Sequence, residues 1–109
     1  MDIYFKKKKI KIPVKEVPLY STGLMFRTKN TSNLYFNLRG KNISLTSWFV
    51  FFPFLVLWVD ERRKVVDFKV VRPFTMVINS QKKFHSIVEV PLNIKNVRIF
   101  GFFVGKRKI

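Results

Sequence analysis

Between Lys41 and Asp60 the chain runs eighteen residues without a charge, and no other feature restricts the fold so strongly. The centre of the run, Trp48-Phe49-Val50-Phe51-Phe52-Pro53-Phe54-Leu55-Val56-Leu57-Trp58-Val59, must either cross a membrane or form the inside of a domain. A helical span needs about 20 apolar residues to cross roughly 30 Å of hydrocarbon. Only twelve consecutive residues qualify here, because Ser44, Thr46 and Ser47 dilute the front of the run. Pro53 would also remove a hydrogen bond from the middle of a helix and clash with the preceding turn. Trp48 and Trp58 flank the run like an aromatic belt, and Arg62, Arg63 and Lys64 follow it like a positive-inside flank. A span is therefore the minority reading. Phe, Val, Leu and Trp without Ala or Gly favour strand over helix, so the run predicts strands near residues 43–49 and 54–60, with Pro53 where a strand tolerates it.

A period of two recurs elsewhere. In residues 9–15, Ile10, Ile12 and Val14 share one face and lysines the other. Residues 33–39 repeat the alternation. Residues 64–72 place Val66, Phe68 and Val70 together, and residues 84–91 turn Phe84, Ser86, Val88 and Val90 inward. Residues 97–104 are apolar on both faces, as a covered central strand would be. Residues 39–42, 60–63 and 79–82 read as hairpin connections, and residues 17–28 as one short helix with Leu19, Leu24 and Met25 inward. The prediction is a mainly β chain, an antiparallel sandwich or small barrel of about seven strands. With 109 residues and no dividing linker, it forms a single domain over residues 1–109, large enough to bury roughly two-thirds of its unfolded surface. Without Cys, stability must come from packing, and the expected setting is a reducing cytoplasm. Residues 1–15 contain no apolar run suited to a signal peptide.

The order of several landmarks resembles a known family. Gly23-Leu24-Met25-Phe26-Arg27, the run from Ser47 to Asp60, Val65-Val66, Arg72-Pro73-Phe74 and Val88-Glu89-Val90-Pro91 together are similar to the conserved uncharacterised protein family catalogued as domain of unknown function 192, over about residues 12–104. The resemblance implies a compact, soluble, jelly-roll-like sandwich with one short helix and no assigned activity. This chain departs from the family in its central motif. Where the family places polar groups, it has Thr46, Phe51 and Leu55, and where the family has Gly-Asp it has Gly101-Phe102. The polar residues left among the landmarks are Arg27, Asp60, Arg72 and Glu89. Arg27 and Arg72 either hold loops together or line an anion site.

Catalytic raw material is scarce. The only His is His85, which gives a Ser or Thr nucleophile a single possible base and, without Cys, no common transition-metal site. Asp60 and Glu61 are adjacent and tend to diverge, and four glycines form no phosphate loop. The sequence predicts no enzyme, no cofactor and no metal.

Charge points elsewhere. Lys and Arg number 22 against 6 acidic residues, a net charge of +16. Adenine-rich codons alone would have raised Glu as well, yet only Glu16, Glu61 and Glu89 occur. The excess calls for a polyanionic partner or for tolerance of self-repulsion. The nucleic-acid-binding candidates are Lys6, Lys7, Lys8, Lys9, Lys82, Lys83, Lys106, Arg107 and Lys108, supported by Lys11, Lys15, Lys69 and residues 62–64. Tyr4, Tyr35, Phe84 and Phe100 are candidates to stack on bases. Residues 98–103 imitate the aromatic motif of RNA-recognition domains, but too little chain follows for that topology. The expected function is a non-catalytic module that meets nucleic acid or another polyanion. The alternatives are a protein-interaction or scaffold module, and an apolar-ligand pocket between sheets.

Overall fold

The structure is a computed structural model and describes residues 1–18, 24, 27–40, 45, 50–75 and 77–105. It is mainly β. Strands β1 (Asp2–Phe5) and β2 (Lys8–Lys11) form a hairpin; β3 (Lys15–Val17), β4 (Leu34–Asn37), β5 (Phe54–Val59), β6 (Val65–Val71) and β7 (Ser86–Pro91) form a second sheet in the order β3-β4-β7-β5-β6. All neighbours in that sheet are antiparallel except β3 and β4, which run parallel. The described strands number seven, though not the seven that the sequence predicted, and they do not close into a barrel.

The apolar run works as core. Every residue of β5 is buried, and Trp58 is fully enclosed. Val50 and Phe52 are also buried, whereas Phe51 is exposed. Among the described residues no helix is long and apolar enough to cross a membrane. Trp48 and Phe49, like most of the strand expected near residues 43–49, lie outside the described residues; Leu45 alone is seen there, bridged to Ile78.

Both faces of the five-stranded sheet are covered. On one face Leu55, Leu57 and Val88 pack against Ile3 and Ile10 of the hairpin and against a C-terminal helix, so the space between hairpin and sheet is filled with side chains. On the other, Val56, Trp58 and Ile87 pack against Leu24, Leu38 and Ile78 from connecting segments. Side chains alternate between two buried faces, which is why β7 is buried at every position instead of alternating.

Three sequence expectations are corrected. Residues 97–104 are not a strand but an α-helix, α1 (Val97–Val104), entered through a 3-10 turn at Ile94–Asn96. Ile99, Phe100 and Phe103 form its buried stripe, a helical spacing that eight mostly apolar letters cannot separate from a strand. Asn93 caps the entry by accepting from the Asn96 amide at 3.0 Å. Of the short helix expected over residues 17–28, Val17 belongs to β3 and most of the rest lies outside the described residues, so that expectation stays open. The single strand expected over residues 9–15 is divided. β2 ends at Lys11, and Pro13, which has no amide to donate to a ladder, leads the chain to the other sheet as β3. There the Lys15 amide bonds the Asn33 carbonyl at 2.8 Å. In β6, an irregularity opposite Trp58 and Val59 puts Val65 and Phe68 on one face and Val66 on the other, breaking the expected set of Val66, Phe68 and Val70.

Candidate nucleic-acid interface

The β1–β2 hairpin is held by its inner face. Ile3 and Ile10 pair across the strands and are buried. The Phe5 ring meets Phe68, Phe102 and Phe103 at centroid distances of 5.5, 6.3 and 5.2 Å. This anchorage leaves the outer face in solvent. Tyr4 and Lys9 stand opposite each other there, and both are exposed. The connection is two residues, Lys6 and Lys7, with φ of 49° and 66°. Both central residues are left-handed, the turn that fits the twist of a hairpin and that Asn-Gly fills with least strain. A lysine pair is a costly choice at such positions.

The β5–β6 turn brings a second group of cations to the same place. The Asp60 carboxylate accepts from the amides of Arg62 and Lys64, both at 2.9 Å, and the Arg63 amide bonds the Asp60 carbonyl at 3.0 Å. These bonds fix a tight turn whose three basic side chains are exposed. The Tyr4 amide donates to the Arg63 carbonyl at 3.0 Å, and Tyr4 bridges Lys64 in parallel register. Lys9, Tyr4 and Lys64 therefore lie in one row across three chain segments. Around this row, Lys6, Lys7, Lys8, Lys9, Lys11, Arg62, Arg63 and Lys64 supply eight cations, against the three carboxylates of Asp2, Asp60 and Glu61. Asp2 lies opposite Lys11, and Asp60 is engaged by its own turn.

The other basic candidates divide. Lys83 joins Arg62, Asp60 and His85 around an open groove of about 450 Å³ beside this turn. Lys82 is exposed, with its amide on Ser80 Oγ at 3.0 Å. Lys106, Arg107 and Lys108 lie outside the described residues. Lys15 lines a different groove, with Lys95 and the Asn33, Asn93 and Asn96 side chains. Lys69 lies over the Trp58 ring at 5.6 Å. Of the stacking candidates, Tyr35 and Phe100 are buried and Phe84 is half-buried. Tyr4 is the exposed one, at 44%.

The two arginines meet different neighbours. Arg27 is half-buried, donates to Thr31 Oγ1 at 3.4 Å and acts electrostatically on Glu89. Arg72 is exposed where the chain leaves β6, on a shallow groove with Lys69 and Val77, and its carbonyl accepts from Thr75 Oγ1 at 2.9 Å. β5 runs between β6 and the strand that carries Glu89. Glu89 is buried in the middle of the sheet, and its Oε1 has no hydrogen-bond partner. Burial pushes its carboxyl up to about 7, partly opposed by the Arg27 charge.

His85 is half-buried, with Nδ1 2.7 Å from Ser86 Oγ, which also meets the Tyr35 hydroxyl at 3.1 Å. The pair has the contacts of a nucleophile and its base, and Ser86 is 1% exposed. Sequence reasoning missed the buried asparagines. Asn96 Nδ2 donates to Asn33 Oδ1 and to the Pro91 carbonyl, both at 2.8 Å; Asn33 Nδ2 reaches the Pro13 carbonyl at 2.9 Å and Asn93 the Lys29 carbonyl at 2.6 Å. The capping asparagine before an apolar octet was the available signal.

A crystal structure of a protein of unknown function from Novosphingobium aromaticivorans DSM 12444 is similar to this chain, with a TM-score of 0.71 and 15% sequence identity over 90% of this chain and 75% of that one. At that identity the likeness speaks to the fold alone. No family model matches the chain, and no curated protein matches it.

Proposed function

We propose that this chain is a small, non-catalytic β module that binds nucleic acid through the face built from the β1–β2 hairpin and the β5–β6 turn. The observation that carries the reading is the backbone bond from Tyr4 to the Arg63 carbonyl. It joins two cation groups far apart in sequence, Lys6 to Lys9 and Arg62 to Lys64, into one surface. Phosphate neutralisation by clustered cations releases counterions and gives affinity that is steep in salt and nearly indifferent to base sequence. The left-handed Lys6 and Lys7 support the reading, since strain at a turn is tolerated where the side chains have a use.

The test is a salt series of binding titrations with labelled DNA and RNA. Engaging roughly four to six phosphates predicts a loss of more than tenfold in affinity between about 50 and about 200 mM salt. Lys6→Asn combined with Lys7→Gly separates fold from function. It should raise the melting temperature by relieving the turn and should flatten the salt dependence by about 0.9 per lost phosphate contact on duplex. Lack of binding at about 50 mM salt, where such contacts are strongest, would favour a protein-interaction module. Phe51 and Phe74, exposed and 5.6 Å apart edge to face, are the surface to examine in that case.

A further inference from the structure

We infer that the polyanion taken by this face is single-stranded, and that Tyr4 is the platform on which one unpaired base stacks. This rests on the nucleic-acid reading above and sharpens it. Tyr4 alternates with Ile3 and Phe5, whose side chains turn into the core, so its own ring stands on the outer face with 44% of its surface in solvent. Cross-strand partners in register carry their side chains on the same face. Lys9 on one side and Lys64 on the other are such partners. Neighbouring strands lie about 4.8 Å apart, so an exposed lysine rises on each flank of the ring and brings an ammonium group to each side of it. An aromatic face between two cations fits a nucleotide chain, in which each base is flanked by phosphates, and every base offers a π-face without regard to sequence.

The duplex is the poorer fit. Its bases are already stacked on both sides, so the Tyr4 ring would gain nothing from them. Reading a duplex groove needs a protruding helix or ribbon. The one described α-helix instead buries Ile99, Phe100 and Phe103, and the two-stranded β1–β2 ribbon lies with Ile3 and Ile10 packed on the core, so neither protrudes. Tyr35 and Phe100 are buried, and Phe84 is half-buried against the core on the other face of the sheet, which leaves Tyr4 as the exposed ring among the clustered cations. The hairpin's attachment through Phe5 is independent of Tyr4, so changing the outer ring leaves the anchorage intact.

The experiment compares labelled oligo(dT) with a mixed-sequence duplex of equal length, each titrated by the wild type and by Tyr4→Ala, Tyr4→Phe and the Lys9→Gln, Lys64→Gln double variant. Circular dichroism and melting confirm the fold of each. Tyr4→Ala should weaken oligo(dT) binding by roughly tenfold or more and leave duplex affinity and the salt slope unchanged. Tyr4→Phe keeps the ring and should bind like the wild type. The double lysine variant should lower the single-strand slope by about 1.4, two phosphates at about 0.7 each. If duplex and oligo(dT) bind with a steep salt slope but Tyr4→Ala weakens neither, or weakens both equally, the stacking inference is overturned and the basic-face reading survives. If neither nucleic acid binds at about 50 mM salt, both fall.

Discussion

Replacing Glu89 with Gln tests the two-sided core at its most expensive point. Glu89 is 5% exposed in the middle of the sheet, and its Oε1 has no hydrogen-bond partner. Burial raises its pKa from 4.5 to about 7, with Arg27 holding it from going higher. In the pH range between those values the folded chain keeps a proton that the unfolded chain has released. Stability must then fall as pH rises from about 4.5 and level off above about 7. The span between those two values, at about 1.36 kcal/mol per unit of pH, is worth about 3 kcal/mol. For a chain of 109 residues that corresponds to roughly 13 °C in melting temperature. Gln keeps the shape and does not titrate. Urea unfolding followed by tryptophan fluorescence at a series of pH values from about 5 to about 8 should show the wild type losing about 3 kcal/mol across the window. In the same window Glu89→Gln should stay nearly level and be the more stable protein at the alkaline end. Equal pH slopes for the two proteins would refute the reasoning. So would a wild type that gains stability as pH rises, the signature of a carboxylate held ionised by Arg27.

Arg27→Gln removes the charge that lowers the Glu89 pKa, so the pH at which stability levels off should move upward in the same unfolding series, while Glu89→Gln in that background removes the dependence. Trp58→Ala should cost about 3 to 5 kcal/mol through the cavity it leaves, measured by urea unfolding. Trp58→Phe should cost less than its lost volume suggests, because the buried indole N–H has no hydrogen-bond partner among the described residues.

Part of the candidate interface was legible in the sequence. The lysines of residues 6–9 stood out as a charge cluster, and Arg62 to Lys64 as a basic turn. Their meeting did not show, because it depends on where the hairpin lands after Ile3, Ile10 and Phe5 find the sheet. Tyr4 was one of four stacking candidates; burial of Tyr35 and Phe100 is a tertiary fact that left it exposed among cations. Glu89 appeared among the landmarks, but strand alternation placed it on an outward face. Its burial follows from β7 lying between β4 and β5 with both faces covered.

By itself the sequence determined which segments must leave water. β5, β6 and β7 lie where uncharged or alternating residues predicted strands, since long apolar runs bounded by polar turns have few ways to be buried. It also determined the cationic surplus. The tertiary structure decided what each segment packs against, and that choice set the conformation wherever local preference was evenly balanced. Residues 97–104 are apolar enough for strand or helix, and the helical form sets Ile99, Phe100 and Phe103 into the core on the sheet, after a 3-10 turn that Asn93 caps. Residues 9–15 alternate well enough for one strand, yet Pro13 interrupts the ladder, and pairing with β4 drew Lys15–Val17 into the other sheet. Hydrophobic burial fixes how much surface must be hidden but carries no direction; hydrogen-bond partners and the shape of the neighbouring face supply it.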